Sequence, residues 1–135
     1  MGLFDFLKPK QNGNNQFVTE QAFKSNLTKQ MQMTPKTMKQ LRKIDVSADK
    51  ELKLEYFFYT NNADKAKLFA DEIGKLNYEV NYEQSADDNK SFVITGWTTK
   101  MKMQDNVVTN WTEEMCELGY KFDCDFDGWG TSPDQ

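Results

Sequence analysis

An α+β domain with the element order βαββαβ is predicted by three features of residues 51–131. Four short segments rich in aromatic and branched residues alternate with a period of two, as strands with unlike faces do. Two stretches between them place apolar residues at helical spacing. Polar turn signals separate the pieces. In chain order, ELKLEYFFYT (51–60) alternates early and is dense in aromatics, which predicts a first strand. Asn61-Asn62 offers an N-cap, and Ala66, Phe69, Ile73 and Leu76 fall on one face of a first helix. YEVNYEQ (78–84) sets Tyr78, Val80 and Tyr82 against Glu79, Asn81 and Glu83, a second strand with one wet face. ADDNK (86–90) is a turn, and SFVITGWT (91–98) a third strand. Val108, Trp111, Met115 and Leu118 define a second helix, closed by Gly119 at the C′ position. YKFDCDFD (120–127) is the fourth strand, with Tyr120, Phe122, Cys124 and Phe126 toward the helices and Asp123, Asp125 and Asp127 on the open face. This order is that of the ferredoxin-like split βαβ arrangement, a four-stranded antiparallel sheet with two helices on one face.

Ahead of this domain the chain turns helical from Phe17 to Ile44. Phe23, Leu27 and Met31 have i, i+4 spacing. Thr34-Pro35 reads as a cap and a first-position proline opening a second helical segment with Met38, Leu41 and Ile44. Leu3, Phe4, Phe6 and Leu7 form an apolar cluster before Lys8-Pro9-Lys10, read as a terminal turn packed on the domain or a partner, with an interfacial membrane anchor as the rival reading. Gln11 to Gln16 is a polar linker. The expected organisation is a basic, partly helical N-terminal extension (1–50), the ferredoxin-like domain (51–131) and a short tail (132–135).

Composition narrows the function. A chain of 135 residues has room for one domain with a real core plus an extension. A mean hydropathy of −0.81 and the lack of a long apolar run exclude a membrane-spanning helix. MGLFDFLKPKQ has too short an apolar stretch for a secretory signal, and Phe6 stands where a myristoylation signal wants Ser or Thr, so a cytoplasmic location is expected. Residues 1–50 carry a net charge of +5 and residues 51–135 a net charge of −9. An acidic domain repels phosphate backbones and attracts basic protein surfaces. With no histidine, the most common general base and the His-dependent nucleophile systems are gone, and a non-enzymatic protein is expected. Cys116 and Cys124 are expected to be reduced, buried thiols.

DCDFDGWGT (123–131) invites a metal reading, because alternate aspartates followed by glycine begin an EF-hand loop. Against it, position 12 is Asp134 rather than glutamate, position 8 is Gly130, and the entering segment alternates like a strand. No metal and no cofactor are expected. An RNA-recognition module shares the βαββαβ order and would use Phe57, Tyr59 and Trp97 as stacking platforms. KSFVITGW departs from the sequence pattern of that module, and the acidic fourth strand opposes phosphate. Those aromatics are read as core or partner-contact residues.

Asp127-Gly128-Trp129-Gly130-Thr131, following an acidic aromatic strand, resembles the RraB family of regulators of ribonuclease E activity. The similarity extends through LEYFFYT, AKLFADEIGKLNYEV, FVITG and WTEEMCELGYKFDC, covering roughly residues 51–131. The resemblance implies a ferredoxin-like fold and a non-catalytic protein that inhibits a ribonuclease by binding it. Proteobacterial members continue into a long acidic tail, whereas this sequence ends eight residues after Asp127, and the basic N-terminal extension lies outside the resemblance. Read together, these features place partner binding at Asp123, Asp125, Asp127, Gly128, Trp129, Gly130 and Thr131, with a ribonuclease E-like enzyme as the expected partner. Trp129 is the expected aromatic anchor, with a purely architectural role for DGWGT as the rival reading. Two alternatives remain: an immunity-type inhibitor of a toxin nuclease, and an RNA-binding module using the basic N-terminal segment.

Overall fold

The computed structural model describes residues 16–86 and 90–135. The apolar cluster Leu3, Phe4, Phe6 and Leu7, the linker up to residue 15 and the middle of the ADDNK turn lie outside them. The described residues form three helices and two antiparallel sheets. In chain order the elements are α1 (Glu20–Lys43), β1 (Glu51–Leu52), β2 (Leu54–Thr60), α2 (Ala63–Gly74), β3 (Glu79–Gln84), β4 (Phe92–Trp97), β5 (Met101–Lys102), α3 (Asp105–Lys121) and β6 (Asp125–Thr131). The main sheet has the order β3-β4-β2-β6, antiparallel throughout, and β1 pairs with β5 in a two-stranded ribbon.

Strand β2 lies at the centre of the main sheet and its burial alternates without exception. Leu54, Tyr56, Phe58 and Thr60 are fully buried, and Glu55, Phe57 and Tyr59 are half-buried. The buried set meets Ala66, Phe69 and Ile73 of α2 and Val108, Trp111 and Met115 of α3 in one core cluster. Phe58 packs edge-on against Phe69 (4.5 Å) and tilts against Phe126 (5.0 Å). Tyr56 reaches under β4 to donate its hydroxyl to the Glu79 carbonyl of β3 at 2.7 Å. Gly96 leaves room for that crossing: a Cβ there would sit 1.8 Å from the Glu79 oxygen and 2.7 Å from the Tyr56 hydroxyl.

Helix α1 is one helix where the sequence pattern predicts two segments. Thr34 does not cap; it is buried in mid-helix, and Pro35 follows it on the exposed face. Proline removes one backbone donor, which costs least where the freed carbonyl meets water. The actual N-cap is Thr19, whose hydroxyl accepts from the Ala22 amide at 3.0 Å. The inward stripe runs from the partly buried Phe23 and Leu27 to the buried Gln30, Thr34, Met38 and Leu41. Its two middle members are polar, so an apolar-periodicity argument breaks there. The Thr34 hydroxyl lies 2.8 Å from that of Thr112 on α3, and Phe23 stacks on Tyr120 at 4.3 Å. Asn26 and Gln30 donate to the Phe126 carbonyl of edge strand β6 at 2.8 and 3.4 Å. Helix α1 therefore covers one sheet edge that would otherwise present free backbone groups.

Each helix is followed by an Asp or Asn in the left-handed region: Asp45 (φ 68), Asn77 (φ 66) and Asp123 (φ 60). Sequence reasoning, which looks for glycine there, misplaces two helix ends. Helix α2 stops at Gly74, so Leu76 lies beyond it and is exposed. Helix α3 runs past Gly119 to Lys121. The Cys124 amide donates to the Gly119 carbonyl (2.8 Å) and the Asp123 amide to the Tyr120 carbonyl (3.1 Å), a Schellman closure with aspartate in the glycine position. Gly119 faces inward, where a Cβ would meet the Cys124 carbonyl and the Phe58 ring. Tyr120 thus belongs to α3, and β6 begins only at Asp125.

Candidate partner-binding surface

The three aspartates expected on one open face have three different environments. Asp123 is a correction: it is buried and precedes β6. Its carboxylate accepts from the Phe17 and Val18 amides, both at 2.7 Å, and from Lys65 Nζ at 2.5 Å. The helix-closing φ turns this side chain inward, where it anchors the lead-in to α1. Asp125 is half-buried and accepts from Asn26 Nδ2 at 3.1 Å. Burial, with Asp127 adding to it and Lys29 opposing, raises its carboxyl pKa above the ordinary value. Of the three, Asp127 alone is exposed.

DGWGT is strand rather than loop. Asp125–Thr131 pairs with β2, and the register slips by one between Phe57 and Phe58, opposite Asp127. Such a bulge reverses the alternation of the residues beyond it. Phe126 and Trp129 consequently both lie on the helix side, paired with Phe58 and Tyr56, while Gly128 and Gly130 pair with Phe57 and Glu55 on the other side. Gly128 takes φ 124, a conformation that favours glycine. The Trp129 indole donates to the Thr34 hydroxyl at 3.0 Å and meets Trp111 edge-on at 6.4 Å. Trp129 therefore clamps α1 to the sheet, and only part of its ring is accessible. Thr131 donates its hydroxyl to the Lys53 carbonyl at 2.7 Å.

The face away from the helices is defined by register. Reading across the sheet from β6 to β3, one row is Gly130, Glu55, Trp97, Glu79; the next is Gly128, Phe57, Thr95, Asn81; the third is Asp125, Tyr59, Val93, Glu83. Phe57, Tyr59, Val93 and Trp97 stand outside the core cluster, each half-buried. The acids on this face are Glu55, Glu79, Glu83 and Asp125. Among the described residues Glu79 meets Lys53 Nζ at 3.5 Å, and Glu55 and Glu83 make no ion pair. Where the face passes to α1, a solvent-open cleft of about 180 Å³ is lined by Gln30, Met33, Thr34 and Thr37 of the helix and Phe57, Asp127, Gly128 and Trp129 of the sheet. That volume suits one inserted side chain rather than a small-molecule ligand.

Glu55, Glu79 and Glu83 are the surface residues that sequence reasoning did not place in the site. The alternation of YEVNYEQ marks Glu79 and Glu83 as wet, yet only the register shows them sharing a face with Trp97 and Tyr59. The two cysteines are buried, and burial pushes both thiols up to about 12. Among the described residues no group of three His, Cys, Asp or Glu is placed to hold a metal ion, and no helix is long and apolar enough to cross a membrane.

Residues 20–131 match the model of the family RraB, Regulator of ribonuclease activity B. The match takes in α1 as well as the sheet, so it begins inside the segment that the sequence reading set apart as an extension. Among curated proteins, a Regulator of ribonuclease activity B from Shewanella denitrificans is 29% identical over 86 residues, covering 62% of this chain and 67% of the relative.

Proposed function

Since the chain belongs to the RraB family of regulators of ribonuclease activity, we propose that it regulates a ribonuclease E-like enzyme as a non-catalytic binding partner, docking the open sheet face on a basic surface of that enzyme. One observation carries the reading. The central strand of the sheet shows aromatic side chains on both faces, and only one set is used by the core. Large apolar side chains grouped outside the core mark an interaction surface. The carboxylates around them favour a basic partner and steer its approach, an effect that weakens with salt. The strand order β3-β4-β2-β6, with α2 and α3 together on one side, supports a ferredoxin-like arrangement in which the second face is left for contacts. Asp127 and the cleft beside Trp129 supply a second contact at the rim.

The test is inhibition of the ribonuclease by charge-reversed protein. Glu55→Lys with Glu83→Lys is expected to abolish inhibition while the circular-dichroism spectrum and melting temperature stay near wild type. Full inhibition by that folded double variant would refute the docking face.

A further inference from the structure

We infer that the open face is a receptor for arginine side chains, presented by the partner on an extended polypeptide segment. The inference rests on the ribonuclease-binding reading and adds the chemistry of the contact. Its basis is the row in which Trp97 lies between Glu55 on β2 and Glu79 on β3. Neighbouring strands lie about 4.8 Å apart, so both carboxylates flank the indole within reach of a group resting on it. A guanidinium satisfies all three together: its plane stacks on the ring while its N–H groups donate outward to carboxylates on either side. An ammonium is a point charge and uses the carboxylates without the stacking geometry.

The third row repeats the theme, with the Tyr59 ring and Val93 held between Asp125 and Glu83. The face thus offers two cation positions separated along the strand by the row of Phe57. At the β6 end the first row closes on Gly130, where a Cβ would meet nothing within 4 Å, so a segment crossing the sheet meets no side chain there. Lys53, whose Nζ lies 3.5 Å from Glu79, shows that the row already draws a cation. Both members of that pair are well exposed, and such pairs are weak and easily exchanged. Nucleic acid is disfavoured on the same surface because the carboxylates repel phosphates.

Calorimetric titration of the full chain tests this with a short peptide of alternating arginine and glycine, its lysine counterpart and its citrulline counterpart. The arginine peptide is expected to bind at least about fivefold more tightly than the lysine peptide, and the citrulline peptide to give no heat. Trp97→Ala, and separately Glu55→Gln with Glu79→Gln, are expected to weaken the arginine peptide about tenfold. Glu113→Gln with Glu117→Gln makes the same change of charge on the exposed side of α3 and is expected to leave binding unaltered. Equal affinity for the arginine and lysine peptides, or an equal loss in the α3 variant, would overturn the inference. So would a chain that inhibits its ribonuclease yet gives no heat with the arginine peptide, in which case the regulatory reading survives alone. A chain that binds the arginine peptide selectively but does not touch the ribonuclease supports the receptor chemistry and removes the regulatory reading.

Discussion

Strand β2 carries Tyr56 and Phe58 on one face and Phe57 and Tyr59 on the other, and the two pairs are treated very differently. Tyr56 and Phe58 are fully enclosed, hydrogen-bonded across two strands or packed ring against ring. Phe57 and Tyr59 are half-buried, outside the core cluster and bordered by carboxylates. Folding explains the first pair. It does not call for the second, since a wet face is satisfied by Thr, Lys or Gln at no cost to the core. On the proposed reading, the difference separates side chains that the fold uses on one side from side chains offered to a partner on the other.

Variants on the two sides should separate stability from binding, and the strongest effect belongs to the enclosed side. Asp123→Ala is expected to lower stability by about 3 kcal/mol, because it removes a buried carboxylate that accepts from the Phe17 and Val18 amides and from Lys65 at once. Urea unfolding followed by circular dichroism measures it. Gly96→Ala should follow at about 2–3 kcal/mol, since the added methyl drives into the Glu79 carbonyl and the Tyr56 hydroxyl. A smaller loss for Gly96→Ala than for an exposed glycine such as Gly74→Ala would break the proposed crossing of Tyr56 under β4.

Alkali probes the same side. Both thiols are held up to about 12 by burial, above their value in an unfolded chain. A group with a raised folded pKa contributes its full stability below its unfolded pKa and loses it as pH climbs toward the folded one. Stability should therefore be flat up to roughly pH 8.5 and then fall by about 1.4 kcal/mol per pH unit for each thiol. Urea midpoints at pH 7 and pH 10 make the comparison, and serine at both positions should remove most of the difference. Trp129→Phe keeps an aromatic ring against the core but removes the bond to Thr34 and part of the indole contact, with an expected cost of about 1–2 kcal/mol. On the open face, Trp97→Ala removes a half-buried ring and should cost about 1 kcal/mol, well below the core changes. Ribonuclease binding is nonetheless expected to fall about tenfold in that variant, as for an aromatic anchor.

Much of this architecture was legible in the chain. The central strand within ELKLEYFFYT, the Asn62 cap, whose side chain accepts from the Lys65 amide at 2.8 Å, and the α2 and α3 faces all follow from periodicity and capping chemistry. Residues 51–60, read as one strand, form two, with Glu51–Leu52 paired to β5 in a separate ribbon. Three things were hidden, each for a physical reason. Polar Gln30 and Thr34 interrupt the buried stripe of α1, so one helix reads as two. Aspartate closes α3 in place of glycine, which moves the start of β6 to Asp125 and sends Asp123 inward. The bulge at Asp127 then exchanges the faces of the residues that follow, and Trp129 becomes a clamp on α1 rather than a free anchor. Period-two reasoning across YKFDCDFD had no means of seeing either shift. The open face itself needs pairing register, which no single segment encodes.

Site-specific photo-crosslinking probes the docking face most directly. A photoreactive phenylalanine analogue placed at Phe57, and separately at Glu113 on α3, is irradiated with the purified ribonuclease. A covalent adduct from position 57 and none from position 113 is the predicted outcome; adducts from 113 alone would contradict the proposal that the sheet face opposite α2 and α3 meets the enzyme.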